Sequence, residues 1–229
     1  MESETWKPAW HIASYPRSGN HLIRAILEAA SGRPTIGCPY SGDTDLPIHL
    51  RAPNRKLNLI AIHDSEPIGY KSHQINQIML HCRAAQRPLG FLLVTRNPVH
   101  AISSHLARKL RRSPFMSAKA RRLLIEAQVD MYLGLVMYFA SEPKNTKMHL
   151  RFEDMISKEW TANHLDNLVE TLTGVQAFAD IDRTAIFKLA KESQESLNPR
   201  RAQIQSELAD LVSNYLTYDD VMEIINRHT

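Results

Sequence analysis

The feature that most constrains the fold is a strand, a tight loop and a helix in residues 10–30. Residues 10–13 form a short run able to enter a sheet, and residues 22–30 carry apolar side chains at helical spacing. A helix N-terminus leaves backbone N–H groups unpaired and carries partial positive charge. A loop that aims those groups at one point makes an anion site. Residues 14–21 therefore predict an anion-binding loop.

The side chains of this loop suit the same purpose. Arg17 adds a permanent cation with a planar fork of donors. Ser18 adds a hydroxyl, Gly19 allows close backbone approach, and Asn20 is a good helix cap. The competing interpretation is an ordinary strand-to-helix turn that contains Ser and Gly. The loop alone does not decide between the two interpretations.

The rest of the chain alternates between strand and helix patterns. Strand patterns recur at residues 57–63, 91–95 and 148–152, and helical spacing occupies residues 74–86 and 123–140. Residues 158–229 look helical in three or four pieces. Alternation of this kind favours a parallel α/β sheet covered on both faces. We expect a single domain over residues 1–229, with a long connection at residues 33–58.

Composition limits the classes of protein that the chain can belong to. With 229 residues and 43% hydrophobic content, the chain can bury a sizeable core. The sequence contains no run of eighteen apolar residues, so no membrane span is predicted. Cys38 and Cys82 lack a disulfide or metal spacing, and the polar N-terminus does not resemble a secretory signal, so a cytoplasmic location is expected. The net charge of +4 suits an anionic ligand but is too small to indicate nucleic acid.

A second polar motif follows the apolar run at residues 91–95. Asn97 and Pro98 are expected as cap and first residue of a helix, directly after Arg96. Ser104 lies a little over two turns into that helix. Ligands in open α/β sheets bind outside the carboxyl ends of strands, so the two motifs could hold two ends of one anion. Alternatively, Arg96 is a surface arginine and Ser104 bonds its own helix backbone.

These motifs resemble the sulfotransferase family that uses 3′-phosphoadenosine 5′-phosphosulfate (PAPS). Residues 15–20 are similar to the family's 5′-phosphosulfate loop. Residues 96–98 with Ser104 are similar to its 3′-phosphate element, and residues 150–155 resemble a third, weaker signature. The resemblance spans roughly residues 9–156. It implies a P-loop-like central parallel sheet flanked by helices, with a helical C-terminal half.

The resemblance also implies roles for individual residues. Arg17 occupies the position of a Lys or Arg that contacts the bridging oxygen and the sulfate. The donors expected at the 5′-phosphate are Ser18, Gly19, Asn20 and His21. Arg96 and Ser104 are expected to hold the 3′-phosphate. No metal is expected.

A general base is implied by a third element of the family. Lys71, Ser72 and His73 match a Lys-Ser/Thr-His triplet whose His is the base. His63 is the alternative, because it ends a clearer strand and has Asp64 beside it. Lys71 is expected to assist the leaving group or the sulfate. For either histidine alone, an ordinary surface or core imidazole is the commoner case.

The chain departs from the family pattern at several positions. His21 and Leu22 stand where many members have a small hydroxyl residue and Trp. The C-terminal Arg-Lys-Gly segment that grips the 3′-phosphate is not recognisable. Arg200 and Arg201 are the candidates to replace it; the competing interpretation is two solvated arginines at a helix start.

The acceptor is less constrained than the donor. The basic segment 108–122 lies where family members often place a loop that covers the acceptor, so an acidic acceptor such as a charged sugar would fit. A solvated helix face is the competing interpretation. The expected reaction is sulfuryl transfer to a hydroxyl, or less readily an amine, of a small molecule or carbohydrate. The alternatives are a P-loop small-molecule kinase, although its G-x-x-x-x-G-K-[ST] motif is absent, and a non-catalytic PAPS-binding protein.

Overall fold

Five parallel strands form the centre of the protein. The structure, a computed structural model, describes residues 10–31, 35–37, 68–76, 90–111, 115–157, 162–173 and 199–228. The strands in this part of the chain are β1 (Trp10–Ser14), β2 (Thr35–Gly37), β3 (Gly69–Ser72), β4 (Gly90–Thr95) and β5 (Lys147–Arg151). Their order in the sheet is β2-β3-β1-β4-β5, and every neighbouring pair is parallel.

Helices surround this sheet. In the described ranges they are α1 (Asn20–Ser31), α2 (Pro98–Leu110), α3 (Ala118–Ser141), α4 (Phe152–Met155), α5 (Ala162–Thr173), α6 (Pro199–Ser213) and α7 (Tyr218–His228). A 3₁₀ turn at Lys144–Thr146 precedes β5. These helices pack on both faces of the sheet.

In the described ranges the core forms two clusters, one on each face of the sheet. Ala13, Phe91 and Leu93 face a cluster built with α2, α3, α6 and α7. Ile12 and Leu92 face the other cluster, which includes side chains of α1, α4 and α5. Burial on both faces explains why β4 is an unbroken apolar run. The parallel sheet with helices on both faces confirms the fold class predicted from the sequence.

Helix α3 is the one described helix that is long and apolar enough to cross a membrane. That result depends on length and composition alone. In the folded protein the same helix contributes Ile125, Val129, Leu135 and Phe139 to the core. A core helix of this kind passes the same test of length and composition.

Several elements differ in detail from the sequence interpretation. Residues 68–73, which are not among the predicted strands, contain β3, which pairs with both β1 and β2. β2 lies within the expected connection at 33–58, most of which is outside the described residues, as are the predicted strand at 57–63 and most of the predicted helix at 74–86. Helices occupy both ends of the basic segment 108–122, so the connection between α2 and α3 is residues 111–117.

The strand order identifies where a ligand would bind. After β1 the chain builds β2 and β3 on one side of it, then β4 and β5 on the other. The order reverses at β1, and in open α/β sheets the crevice at such a reversal, outside the carboxyl ends of the strands, receives the ligand. A ligand site is therefore expected among the residues that follow β1, β3, β4 and β5.

Candidate functional site

The turn after β1, which we call the first turn (residues 15–19), has an unusual backbone. Arg17 has φ of 75° and Gly19 has φ of 90°. A Cβ at residue 19 would also overlap the ring of Phe152, so this position accepts only glycine without adjustment. A left-handed conformation is strained for Arg17, and such strain concentrates at functional loops. The backbone alone therefore marks the first turn as a candidate site.

Two buried polar atoms near this turn have no hydrogen-bond partner in the described part of the chain. They are Ser18 Oγ and Asn20 Oδ1. The amide of Asn20 donates to Ser14 Oγ at 3.0 Å instead of capping α1. α1 has no acidic residue in its first turn, so the helix places no carboxylate of its own at its N-terminus. The Ser18 hydroxyl can donate to an anion such as a phosphate bound at this helix N-terminus, whereas Asn20 Oδ1 only accepts and needs a donor.

The turn after β4, which we call the second turn (residues 96–97), is fully braced. The side chain of Asn97 caps α2 by accepting from Val99 N at 3.0 Å. The backbone N–H of Asn97 donates to Glu153 Oε1 at 2.9 Å. The hydroxyl of Tyr132 donates to the carbonyl oxygen of Arg96 at 2.6 Å. These contacts fix the backbone from which the Arg96 side chain extends.

The two turns meet through Arg96. Its guanidinium Nη1 donates to the carbonyl oxygen of Arg17 at 3.2 Å, across 79 residues of sequence. Its Cζ also lies 4.9 Å from the ring centroid of Phe152. Burial lowers the pKa of Arg96, and the nearby Glu153 opposes this effect, but an arginine keeps its charge at any physiological pH. The two motifs that resemble phosphate elements thus lie beside each other.

The third motif joins these two turns. The ring of Phe152 packs against Gly19 and beneath Arg96, while Glu153 accepts from the second turn. Both residues begin α4 at the carboxyl end of β5. Sequence analysis treated this segment as a weak family signature and assigned no role to either side chain. Its connecting role depends on the position of β5 beside β4, which the sequence motif does not reveal.

His73 lies directly after β3 and beside the end of β1. Its Nδ1 lies 2.6 Å from the carbonyl oxygen of Ser14 and 3.5 Å from Ser14 Oγ. A carbonyl oxygen can only accept, so Nδ1 carries the proton and Nε2 of the neutral ring does not carry one. An imidazole in this tautomer can accept a proton at Nε2. The alternative base, His63, lies outside the described residues.

The other predicted site residues are placed as follows. Lys71 is buried in β3, and Ser104 is buried in α2, while His21 is exposed on α1. Arg200 and Arg201 belong to the first turn of α6, a helix that packs against α2; their side chains lie outside the described residues. The described part of the chain has no group of three or more His, Cys, Asp or Glu placed to hold a metal ion.

Sequence analysis missed two residues that surround Tyr15. The Tyr15 hydroxyl donates to Gln128 Oε1 at 3.0 Å, and burial raises the pKa of this phenol. The Tyr15 ring contacts His105 edge-on, with centroids 5.6 Å apart. Burial and the charges of Lys109 and other nearby cations lower the pKa of His105 to about 4. A polar Gln128 on an otherwise apolar helix face was the available signal for the first contact.

The geometry defines a class: an α/β protein whose candidate anion-binding turn lies at the reversal point of a parallel sheet. No family model matches the chain, and no curated protein matches it. Among solved structures, it is similar to the sulfotransferase domain of the Synechococcus PCC 7002 olefin synthase, with 14% identity, TM-score 0.46 and coverage of 91% of this chain and 97% of that one.

Two further sulfotransferases are similar to the chain. The domain from the curacin biosynthetic pathway has 13% identity, TM-score 0.47, and coverage of 90% of this chain and 99% of that one. Mouse sulfotransferase SULT7A1, solved in complex with PAP, has 13% identity, TM-score 0.49, and coverage of 96% and 88%. All three are sulfotransferases, the family that the motifs resemble. At these identities we argue function from this chain's own residues.

Proposed function

We propose that the protein transfers a sulfuryl group from PAPS to an acceptor hydroxyl. The observation that carries this proposal is the hydrogen bond from Arg96 Nη1 to the carbonyl oxygen of Arg17. It joins the two motifs that resemble phosphate elements, so one nucleotide with phosphates at both ends can contact both. The buried Ser18 hydroxyl, which has no partner in the described part of the chain, supports the same assignment because it can donate to a phosphate oxygen.

The first turn would hold the 5′-phosphosulfate. The backbone amides at the start of α1, the Ser18 hydroxyl and the Arg17 guanidinium supply donors and positive charge there. Arg96 and Ser104, on the second turn and α2, would hold the 3′-phosphate. Gly19, Asn20 and His21 complete the 5′ end of the site, and Arg200 and Arg201 are the candidates for further contact with the 3′-phosphate.

His73 would act as the general base. As the acceptor oxygen bonds to sulfur, its proton passes to His73 Nε2, and the bond from sulfur to the bridging oxygen breaks. The carbonyl oxygen of Ser14 keeps the proton on Nδ1, so the lone pair of the neutral ring is on Nε2. Negative charge then develops on the departing bisphosphate, where Arg17 and the helix N-terminus stabilise it. Lys71 would assist the leaving group or the sulfate.

The acceptor that we propose is a hydroxyl of a small molecule or a carbohydrate, with an amine as the less favoured choice. The basic residues at the end of α2 lie within electrostatic range of His105, and this histidine packs against Tyr15 of the first turn. Positive potential near the acceptor side favours acidic acceptors.

The first test measures binding of 3′-phosphoadenosine 5′-phosphate by calorimetry. Arg17→Ala and Arg96→Ala should each weaken binding by about 10- to 100-fold, the range expected for a charge-assisted hydrogen bond. Arg227→Ala is the matched control, since Arg227 is an exposed arginine on α7 that pairs with Glu223. Equal affinity for all three variants would reject the binding site.

The second test follows transfer of labelled sulfate from PAPS to a panel of acceptors. His73→Ala should lower turnover by about 10²- to 10⁴-fold while leaving nucleotide binding intact. Transfer from ATP with Mg²⁺ would instead identify a kinase. Nucleotide binding without turnover on any acceptor would identify a non-catalytic binding protein. Unchanged turnover in His73→Ala would move the role of base to His63.

A further inference from the structure

A long stretch of the chain contains no carboxylate. No Asp or Glu occurs between Glu66 and Glu126, although the protein as a whole has 24 acidic residues. The cations of this stretch are Lys71, Arg83, Arg87, Arg96, Arg108, Lys109, Arg111, Arg112, Lys119, Arg121 and Arg122. Most of them cluster at 108–122, where α2 ends and α3 begins. The mild net charge therefore hides a strongly positive region of the molecule.

The helices α2 and α3 pack against each other and present this region at one end of the pair. We call it the cationic tip and define it by its exposed residues: Arg108, Lys109, Arg111, Phe115, Lys119 and Arg122. Leu110 is buried and anchors the end of α2 to the core, and Met116 packs against the same cluster. The tip is thus a defined surface on a packed support.

Phe115 distinguishes the tip from an ordinary solvated helix face. Its side chain is 99% exposed, and Leu123, further along the chain on α3, is 57% exposed. The side chain of Phe115 therefore lies in water on a surface that carries five exposed cations beside the small exposed residues Ser117, Ala118 and Ala120. An aromatic side chain exposed among Lys and Arg residues is the combination found on protein surfaces that lie at a membrane interface.

The partner must satisfy both the charge and the aromatic ring. A soluble polyanion would neutralise the cations but would leave Phe115 in water. The interface of an anionic bilayer offers both, because headgroups attract Lys and Arg while the boundary with the acyl chains accepts an aromatic ring. Glu126 pairs with Arg122 at 2.9 Å and is the first carboxylate beyond the tip, so it bounds the positive surface on α3.

We propose that the cationic tip docks on an anionic lipid surface, with Phe115 inserted at the level of the headgroups. Docking is peripheral and leaves α3 in the core. α2 has 13 residues and is therefore roughly 20 Å long, which places the tip at the end of the helix opposite to the second turn. Nucleotide binding at the two turns and lipid docking at the tip can thus occur together, whereas an acidic acceptor and the lipid surface would share Arg108 and Lys109.

Co-sedimentation of the full chain with vesicles tests this proposal. Vesicles of phosphatidylcholine with about 30% phosphatidylserine should bind the protein, and pure phosphatidylcholine should bind it at least about tenfold more weakly. Phe115→Ala should weaken binding to the anionic vesicles by about tenfold, as the transfer of an aromatic ring predicts. Lys119→Gln should weaken it by about fivefold, the effect of one cation near the surface.

Met137→Ala provides the matched control. Met137 is an apolar side chain on α3, 54% exposed, and lies outside the tip. Its variant should bind vesicles like the wild type, and all three variants should keep the wild-type circular dichroism and nucleotide affinity. Equal vesicle binding by Phe115→Ala and wild type would overturn the proposal. Binding to heparin but not to anionic vesicles would overturn it as well, in favour of a soluble polyanion.

Discussion

The turns after β1 and β4 have the same topology but differ in how completely their polar groups are hydrogen-bonded. Each connects a buried parallel strand to the N-terminus of a helix, and Ser14 and Val94 are register partners at their starts. In the second turn, Asn97, Glu153 and Tyr132 make hydrogen bonds to the backbone. In the first turn, Ser18 Oγ and Asn20 Oδ1 have no partner in the described residues, and Arg17 is strained.

This difference suggests different roles: the second turn positions a side chain, and the first turn binds a ligand. A braced turn holds a side chain, here Arg96, at a fixed position. A turn with an unpaired buried hydroxyl at a helix N-terminus is completed when a bound anion accepts from that hydroxyl. One strand-to-helix turn therefore positions a cation for the other, and the other is ready for a ligand.

Gly19→Ala should have the largest effect on stability, because it strains the backbone of the first turn. The new methyl group overlaps the Phe152 ring and the residue keeps a left-handed φ, so we expect a loss of roughly 2–4 kcal/mol in the free energy of unfolding. Urea denaturation measures it.

Phe152→Ala supplies the background that sharpens this test. In that background Gly19→Ala should cost only roughly 1 kcal/mol, the backbone part of the effect. An undiminished cost would show that the ring does not determine the requirement for glycine.

Acid should weaken the strands that carry the second turn. Burial, reinforced by Arg151, lowers the pKa of His149 to about 4, and this imidazole bonds Thr95 at the end of β4. His149 takes up a proton near pH 6.5 in the unfolded chain but only near pH 4 in the folded state. Its contribution to the free energy of unfolding is therefore complete above pH 6.5 and is lost as the pH falls towards 4. By about pH 5 the loss should reach at most about 2 kcal/mol.

Urea unfolding at about pH 7 and about pH 5 measures this dependence, and His149→Gln is the control. The variant cannot titrate, so its stability should depend less on pH than that of the wild type. His105, whose pKa is also lowered to about 4, should leave part of the dependence in place. A wild type and a variant with identical pH profiles would remove His149 from the explanation.

Glu153→Ala should destabilise the second turn by roughly 1–2 kcal/mol, because the backbone N–H of Asn97 loses its acceptor. Glu153→Gln keeps an acceptor oxygen and should cost less than half as much. Thermal unfolding at neutral pH distinguishes the two variants. Equal losses would show that the charge, and not the hydrogen bond, braces the turn.

Ser18→Ala should have the smallest effect on stability, within about 0.5 kcal/mol, because its hydroxyl has no partner to lose among the described residues. The same change should weaken binding of 3′-phosphoadenosine 5′-phosphate severalfold. A stable variant with weaker binding would support the role of the first turn in binding the ligand. A clear loss of stability without any ligand would contradict the contrast between the two turns.

Much of the fold followed from local pattern. Residues 91–95 predicted β4, and residues 123–140 predicted most of α3, which begins five residues earlier behind its Ser117 cap. β3 was not recognised as a strand, since its sequence Gly-Tyr-Lys-Ser lacks an apolar run. Its strand state depends on pairing with β1 and β2, which no local pattern encodes.

The candidate site divides in the same way. The motifs singled out Arg17, His73 and Arg96 from their local sequence alone. The contacts that Gln128, Tyr132 and His105 make with the two turns were not predictable, because each links residues at least 36 positions apart. The binding and catalytic roles of the motif residues remain proposals, as do those of Lys71, Ser104, Arg200 and Arg201.

The sequence by itself determined which residues stand where a strand ends and a helix begins, because periodicity and caps are local properties. Only the tertiary structure decided that Arg96 reaches the backbone of Arg17, that Phe152 covers Gly19, and that His73 points its protonated nitrogen at Ser14. The physical reason is the strand order. Parallel pairing of β3, β1, β4 and β5 aligns four carboxyl ends, and residues far apart in the chain become neighbours there.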